Sequence, residues 1–192
     1  MIVLILKIAG ILLLAYLVMA VVAWRFQHRL AFPAPDASLP APADVGMPAG
    51  ERITLTTADS VRLRGWYLPP EPAPRGDGLA PGLIWFYGNM ETIAGIAPIL
   101  REFRPPGIAV AVVDYRGYGE SEGTATEDGV YRDAEAVWAY LAGRPEIDST
   151  RIAIYGRSIG AAVALYLATE RPARALVLES AFTSGRAMAR EH

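Results

Sequence analysis

Ser158 is the residue best placed for nucleophilic chemistry in this chain, because a glycine lies two positions before it and another two positions after it. A serine hydroxyl can attack a carbonyl carbon when a tight bend holds it clear of the surrounding backbone. Such a bend needs small residues at both flanking positions, and Gly156 and Gly160 supply them. The five-residue pattern alone is common by chance, so a purely structural serine is the alternative.

The segments on either side of this bend favour the nucleophile. Residues 151–155 are β-branched and aromatic, as is typical of a strand, and residues 161–167 are typical of a buried helix. A strand, a sharp turn and a helix in this order strain Ser158 and raise its hydroxyl above the sheet. The helix start also brings unpaired N–H groups and a positive dipole end close to the reacting oxygen. We therefore predict that Ser158 is a catalytic nucleophile.

Further strands and helices alternate along the chain and must position this serine. Residues 52–57 and 61–68 alternate between polar and apolar side chains, which indicates an antiparallel hairpin. Continuous apolar runs predict three more strands, and helical periodicity predicts two more helices. The strands are residues 83–86, 108–113 and 175–178, and the helices are residues 91–103 and 127–141. This order predicts an α/β fold with a mostly parallel sheet and helices on both faces.

Polar and glycine-rich segments follow the predicted strands, at the edge where open α/β sheets bind their ligands. They are residues 87–90, residues 114–119, Ser158 and Glu179. An ordinary strand-to-helix turn is the alternative for residues 87–90. Residues 114–119 are expected to shape the rim of the site, with Asp114 and Arg116 in a structural pair. Glu179 is a candidate triad acid, although a polar residue that merely closes its strand is the preferred interpretation.

Composition excludes several classes of function. The net charge is −2 and the basic residues are scattered, which does not fit a nucleic-acid-binding surface. The chain has no cysteine, and its two histidines and its carboxylates form no cluster with the spacing of a metal site. Gly117 and Gly119 lack the third glycine and the Lys-Ser/Thr pair of a phosphate-binding loop. We therefore predict no cofactor, no metal and no nucleic-acid partner.

The amino terminus predicts a membrane anchor. If Lys7 extends to the surface, the apolar run from residue 2 to residue 24 is long enough to cross a bilayer. A cleaved signal peptide is the alternative, but the apolar core is long and the charged leader is short. The charges on the two sides are too evenly balanced to give the side on which the remaining chain lies. We assign residues 1–25 to a transmembrane anchor, residues 26–50 to a Pro/Ala-rich linker, and residues 51–192 to the α/β domain.

Four motifs in this order resemble the α/β-hydrolase superfamily, in its membrane-anchored, serine-aminopeptidase-like branch. They are Trp-Phe-Tyr-Gly-Asn at 85–89, Asp-Tyr-Arg-Gly-Tyr-Gly-Glu-Ser at 114–121, the glycine-flanked Ser158, and Leu-Glu-Ser-Ala-Phe-Thr-Ser at 178–184. The resemblance covers most of the chain from about residue 52 onward, and it implies the α/β-hydrolase fold. One departure is Tyr87, which stands where the family more often has histidine before Gly-Asn.

The resemblance also implies hydrolysis of an ester, amide or related acyl bond in a small-molecule or peptide substrate. Ser158 would attack the carbonyl, and two backbone N–H groups would bind the oxyanion that forms. One of them should belong to Ile159, directly after the nucleophile. The other should come from the loop after the third strand, and Asn89 is the residue we assign. Specificity in this fold depends largely on cap insertions and late loops, so the substrate is not predicted.

The sequence supplies no obvious base for Ser158. In this fold an acid and then a histidine follow the serine, yet residues 159–192 contain no aspartate, and His192 is their only histidine. His28 lies beside the predicted anchor. The apolar strand at 175–178 also has no later strand to cover its far edge. We therefore expect an incomplete domain that lacks its C-terminal strands, and a hydrolase that is inactive or weak. A non-catalytic, membrane-tethered binding module with the same fold is the alternative.

Overall fold

The computed structural model describes residues 2–74 and 78–182, apart from the side chains of residues 27–31. The chain forms two compact units, one comprising Met1–Pro33 and the other Ala34–His192.

The first unit consists of a single long helix, α1 (Ile2–Ala31). Its segment Ile2–Phe26 is 25 residues long, with a mean hydropathy of 2.7. At about 1.5 Å per residue, a helix of this length is more than long enough to cross the roughly 30 Å hydrocarbon thickness of a bilayer. By length and composition, α1 can therefore span a membrane. The helix continues past residue 25, where the predicted anchor ends.

In the second unit, the described residues form a six-stranded sheet and three α-helices. The strands are β1 (Glu51–Thr56), β2 (Arg62–Leu68), β3 (Ala80–Phe86), β4 (Ala109–Val113), β5 (Ile147–Arg157) and β6 (Ala175–Glu179). The helices are α2 (Ile93–Phe103), α3 (Glu127–Ala142) and α4 (Ile159–Glu170), and a short 3-10 helix spans Pro42–Val45. Every strand and helix that the sequence predicts in this unit is present.

The order of strands across the sheet is β1-β2-β4-β3-β5-β6. β1 and β2 form the predicted antiparallel hairpin, and β2 also runs antiparallel to β4. The neighbours β4, β3, β5 and β6 are all parallel. The carboxyl ends of these four strands therefore meet at one edge, as the ligand-binding edge of an open α/β sheet requires.

Helices lie on both faces of this sheet. A Cβ placed on Gly82 or Gly156 would meet Leu141 of α3 or Ala164 of α4, so these two helices pack on the face to which those glycines belong. Side chains of α2 border a cavity with the neighbouring β3 and β5 residues, which point to the opposite face. This arrangement of a mostly parallel sheet between helices is the fold that the sequence predicts.

Residues 34–50 belong to the second unit and pack against its sheet and loops, although their composition predicts a linker. Leu39 and Met47 are almost fully buried, at 3% and 4% exposure. The indole N–H of Trp66 donates to the Pro40 carbonyl oxygen at 3.0 Å, and the Leu39 N–H donates to Glu120 Oε1 at 2.9 Å. The Pro/Ala-rich sequence of this segment has no periodic apolar pattern, so these contacts could not be predicted from it.

The prediction that Asp114 and Arg116 form a pair is wrong. Arg116 instead binds Asp133 of α3, with Nε at 2.9 Å from Oδ1 and its own backbone N–H at 2.9 Å from Oδ2. The other two guanidinium nitrogens form a bidentate contact with Asp59. Nη1 donates to Oδ2 at 2.8 Å and Nη2 donates to Oδ1 at 3.0 Å. Two carboxylates, one from α3 and one from the turn between β1 and β2, thus surround one nearly buried arginine, a combination that residue spacing does not reveal.

Replacing Asp133 with asparagine should lower the free energy of unfolding by roughly 3 kcal/mol, because breaking a buried pair leaves the Arg116 charge partly uncompensated. The Asp133 side chain is fully buried and that of Arg116 is 6% exposed. Urea unfolding of the full chain in detergent measures this loss. Arg132 also pairs with Asp59, but its side chain is 52% exposed. The matched control Arg132→Ala should therefore cost less than about 1 kcal/mol, and equal losses in the two variants would contradict the prediction.

Candidate functional site

Ser158 lies in the bend between β5 and α4, as the sequence predicts. Its backbone angles are φ 54° and ψ −117°, a combination that L-residues rarely adopt. Such a conformation costs on the order of 1–3 kcal/mol and persists only where the surrounding structure enforces it. This conformation is the one expected of a serine held out from a strand-to-helix turn.

The two flanking glycines enforce the bend by close contacts that leave no space for a side chain. A Cβ on Gly156 would lie 2.2 Å from the Gly160 carbonyl oxygen. A Cβ on Gly160 would lie 2.5 Å from the carbonyl oxygens of both Phe86 and Tyr87. The start of α4 is therefore packed directly against the backbone at the end of β3. Only glycine permits this approach.

Backbone hydrogen bonds hold the bend on both sides of Ser158. Its N–H donates to the Glu179 carbonyl oxygen at 2.9 Å, and its carbonyl oxygen accepts from Ala161 N–H at 3.0 Å. The Ser158 side chain makes no capping hydrogen bond to the start of α4. Ile159 is the first residue of α4, where backbone N–H groups have no partner within the helix. The roles of Ser158 as nucleophile and of Ile159 as oxyanion donor stay predictions.

The loop after β3 brings Asn89 to the same edge of the sheet. The Asn89 carboxamide oxygen accepts from the Tyr118 hydroxyl at 2.7 Å and from Met90 N–H at 3.0 Å. Met90 itself has a positive φ of 60°, so the chain turns sharply directly after Asn89. These contacts fix the side chain of Asn89 on the Tyr118 side of the loop. The use of its backbone N–H as the second oxyanion donor stays a prediction.

Tyr87 supports this loop from behind, in the position where the family more often has histidine. Its side chain is almost fully buried, and its hydroxyl donates to Asp114 Oδ1 at 2.8 Å. The same hydroxyl accepts from Tyr115 N–H at 3.2 Å, and the Tyr115 hydroxyl donates to the Tyr87 carbonyl oxygen at 2.9 Å. A phenol at this position therefore both donates and accepts, and it ties the loop to the end of β4.

Asp114 is the polar centre behind the loop. Besides the Tyr87 hydroxyl, its Oδ1 accepts from the backbone N–H of Ile93, at 2.8 Å, in the first turn of α2. Only 1% of Asp114 is exposed, and burial raises the pKa of its carboxyl from 3.8 to about 6. Burial likewise holds the pKa of the Tyr87 hydroxyl well above its ordinary value. Asp114 thus titrates at a higher pH than an exposed aspartate and anchors both the loop and α2.

Glu179 is exposed at the end of β6, directly beside the bend. Its carboxylate accepts from the Tyr155 hydroxyl, and its backbone oxygen accepts from Ser158 N–H. These contacts join β6 to β5, as expected of a residue that closes its strand. The catalytic-acid interpretation stays a prediction, because His192 and the side chain of His28 lie outside the described residues. In residues 2–74 and 78–182, no three His, Cys, Asp or Glu side chains form a group that could hold a metal.

A cavity of about 580 Å³ lies on the α2 face of the sheet and extends to the carboxyl ends of β5 and β6. Its walls are mainly apolar, and the rings of Trp85 and Tyr155 in its floor are 4.2 Å apart between centroids. At the edge of the sheet the lining becomes charged, with Glu91, Arg157 and Glu179. The cavity therefore reaches the residue that directly precedes Ser158.

The sequence did not predict a bridge between Glu91 and Arg157. A carboxylate oxygen of Glu91 accepts from the Arg157 guanidinium, while the other oxygen accepts from Gly88 N–H at 2.8 Å. Glu91 was expected to begin α2, but the helix begins at Ile93 because the Thr92 side chain caps it by accepting from Gly95 N–H at 3.3 Å. Glu91 is therefore free of the helix and reaches back to the loop. Threonine is a preferred N-cap residue, so Thr92 was the sequence signal that could have placed the start of α2 after Glu91.

Comparison with known proteins places this site in a family. Residues 82–191 match the family described as serine aminopeptidase, S33. The chain is 38% identical over 161 residues to an uncharacterised protein of Mycobacterium tuberculosis, covering 84% of this chain and 56% of that protein. It is 34% identical over 169 residues to protein bem46 of Schizosaccharomyces pombe, covering 84% and 55%. The chain thus spans about half the length of the relatives that it matches.

Solved structures have the same fold. An α/β hydrolase, GrgF, from Penicillium aligns with a TM-score of 0.59 at 24% identity, over 67% of this chain and 45% of that one. An esterase, Pf2001, from Pyrococcus furiosus aligns with a TM-score of 0.53 at 27% identity, over 69% and 48%. The predicted fold is therefore confirmed, and in both pairs the shared part is about half of the solved chain.

Gly160→Ala should disrupt the bend, because its Cβ would lie 2.5 Å from two backbone oxygens that cannot move independently. Forced overpacking of this kind costs about 1–3 kcal/mol or more. The free energy of unfolding, from urea titration, measures the effect. Gly95→Ala is the matched control, since its Cβ would lie 3.8 Å from the nearest atom in an exposed helical turn. That control should be neutral or slightly stabilising, and a Gly160→Ala protein as stable as the control would contradict the prediction.

Replacing Asp114 with asparagine should change how stability depends on pH. The folded pKa of about 6 lies above the ordinary value of 3.8, so the folded state retains the proton over this interval. The free energy of unfolding should therefore fall as the pH rises from about 4 to about 6 and be constant above, by at most roughly 3 kcal/mol. The difference between wild type and Asp114→Asn, measured by urea unfolding between pH 4 and 8, isolates this group. A difference that does not vary with pH would show that Asp114 does not titrate there.

Proposed function

The chain belongs to the serine aminopeptidase S33 family of α/β hydrolases, and from this premise we propose that its second unit cleaves acyl bonds with Ser158 as the nucleophile. The observation that carries the proposal is the positive φ of 54° at Ser158 between two glycines that cannot carry a side chain. A structural serine gains nothing from this strain, whereas a nucleophile gains an exposed hydroxyl at a helix start. The substrate class is an ester, amide or related acyl compound, either a small molecule or a peptide.

The geometry supports one sequence of steps. The Ser158 oxygen attacks the carbonyl carbon, and the carbonyl oxygen gains a negative charge as its double bond opens. The N–H groups of Ile159 and Asn89 bind this oxyanion, and such donors each contribute about 10²–10³ to turnover. The Ser158 hydroxyl loses its proton to solvent water during the attack. The tetrahedral intermediate then expels the alcohol or amine, which takes up a proton from solvent water, and leaves an acyl group on Ser158. Water releases the acid in a second attack.

The proton of the Ser158 hydroxyl needs an acceptor during the first step. Residues 159–192 contain no aspartate, and their only histidine is His192. For this sequence we therefore expect acylation that depends on the oxyanion donors and the strained serine, and turnover far below that of a complete triad. Glu179 stays the candidate acid of the site.

The membrane is the second partner that we propose. The segment Ile2–Phe26 is long and apolar enough to cross a bilayer. We propose that it anchors the hydrolase unit as a single-pass protein and thereby restricts the unit to substrates that reach the membrane surface.

A non-catalytic role is the second candidate, and the scarcity of histidine favours it. The whole sequence contains only His28 and His192. In this alternative the unit would keep the α/β-hydrolase fold and bind a ligand at the strand ends while tethered to the membrane. The two candidates differ in one measurable property, the reactivity of the Ser158 hydroxyl.

A fluorophosphonate probe should label Ser158 stoichiometrically, over hours rather than minutes, because the oxyanion site activates the reaction without a full triad. Intact mass and peptide mapping of the full chain in detergent measure the rate and the position. Ser158→Ala should abolish labelling. Ser180→Ala is the matched control, since Ser180 also has a positive φ, of 51°, at the end of the neighbouring strand, and it should label like wild type.

Two results would count against this assignment. A wild-type protein that stays unlabelled would favour the binding module over the hydrolase. Labelling of Ser158 within minutes would contradict the expectation that the chain lacks an effective base.

A further inference from the structure

One carboxylate connects the two halves of the candidate oxyanion site. Glu91 Oε2 accepts from the backbone N–H of Gly88, at 2.8 Å, in the loop that leads to Asn89. Glu91 Oε1 accepts from the guanidinium of Arg157, the residue directly before Ser158. The side chain of Glu91 thus joins the loop after β3 to the end of β5. Glu91 and Arg157 are 66 positions apart in the sequence.

The bridge is partly shielded from water. The side chains of Glu91 and Arg157 are 25% and 30% exposed, and both line the charged end of the cavity beside the bend. The hydrogen bond that Arg157 donates to Glu91 raises the pKa of Arg157 above its ordinary value. A charge-assisted bond in such a setting is stronger and more directional than an exposed ion pair.

The bridge holds the loop directly before the residue that the resemblance assigns to the oxyanion. The Gly88 N–H donates to Glu91, and Asn89 is the next residue along the loop. The Asn89 side chain is held on its other side by the Tyr118 hydroxyl, at 2.7 Å. The peptide between Gly88 and Asn89 is therefore restrained at both ends.

We propose that Glu91 is a positioning residue for acyl transfer: it orients the oxyanion-binding loop relative to Ser158, with Arg157 holding its carboxylate in place. This inference rests on the proposed function, since it assigns Glu91 an effect on the reaction at Ser158. Oxyanion donors must lie within about 0.5 Å of their productive position, and small misplacements can cost on the order of 10²-fold in rate.

Only a carboxylate satisfies both partners of the bridge. Gly88 N–H and the Arg157 guanidinium are both donors, and a carboxylate offers two acceptor oxygens. A glutamine of the same size offers one acceptor and one donor, so an N–H group would face either Gly88 or Arg157. Glu91→Gln therefore tests the bridge with almost no change in volume.

The experiment measures fluorophosphonate labelling of the full chain in detergent and separates the maximal rate of inactivation from the concentration for half-saturation. Glu91→Gln should lower the maximal rate about 10- to 100-fold, with half-saturation changed less than about twofold. Arg157→Gln should also lower the maximal rate. The maximal rate of the double variant should be only slightly below that of Glu91→Gln alone, because both changes break the same Glu91–Arg157 bridge. The double variant also tests whether the two residues act together.

Glu135→Gln is the matched control for a loss of stability alone. Glu135 is 26% exposed, close to the value for Glu91, and it pairs with Arg171 across α3 and the end of α4. It should label at the wild-type rate. Thermal midpoints are measured for all variants, and Arg157→Gln carries the test if Glu91→Gln does not fold.

A second measurement is independent of reactivity. In protein labelled with ¹⁵N-glycine, the Gly88 amide proton should move upfield in Glu91→Gln as it loses a charged acceptor, whereas Glu135→Gln should leave it unchanged. An unmoved Gly88 resonance, or a wild-type maximal rate in Glu91→Gln, would overturn the inference and leave the proposed function intact. A wild-type protein that Ser158-directed probes do not label would instead refute the proposed function, and this inference with it.

Discussion

The close approach of α4 to the end of β3 is the contact on which the rest of the site depends. Gly160 lies so near the carbonyl oxygens of Phe86 and Tyr87 that a Cβ would be 2.5 Å from each. This contact brings the turn at Ser158 beside the loop that carries Asn89. It also makes the strained conformation of Ser158 tolerable, because the packing on both sides leaves the bend no alternative. Ser158 and the loop that carries Asn89, which come from distant parts of the sequence, are thereby placed side by side.

A buried polar layer behind the loop stabilises this arrangement. Asp114 accepts from the Tyr87 hydroxyl and from the first turn of α2, at 2.8 Å each. Tyr115 adds a hydrogen bond to the Tyr87 carbonyl, and the rings of these two tyrosines are 4.7 Å apart between centroids. Each buried polar group here has a partner, as buried groups require. Tyr87 stands where the family more often has histidine, and it supports the loop in that position. Its ring packs in the core, and its hydroxyl donates one hydrogen bond and accepts another.

The chain combines a strained serine in a glycine-flanked bend with a sequence that contains two histidines. Membership of the serine aminopeptidase S33 family accounts for the sheet, the bend and the loop, and residues 82–191 carry that match. The chain corresponds to about half of the relatives, with 56% of the Mycobacterium tuberculosis protein covered. Acyl transfer at Ser158 is therefore proposed for the part of the site that this chain contains. The long apolar helix α1 adds a means of placing that site at a membrane.

The sequence by itself determined the strands, the helices and the place of Ser158, because each follows from local patterns: apolar runs, helical periodicity and two glycines around a serine. It could not determine which charged residues meet. Arg116 lies two residues from Asp114 yet pairs with Asp133 and Asp59, and Glu91 reaches Arg157 across 66 positions. Such pairs depend on how the strands are ordered and how the helices pack, and residue spacing contains neither. Only the tertiary structure could decide them, since a long-range contact requires two segments to be brought together by the fold.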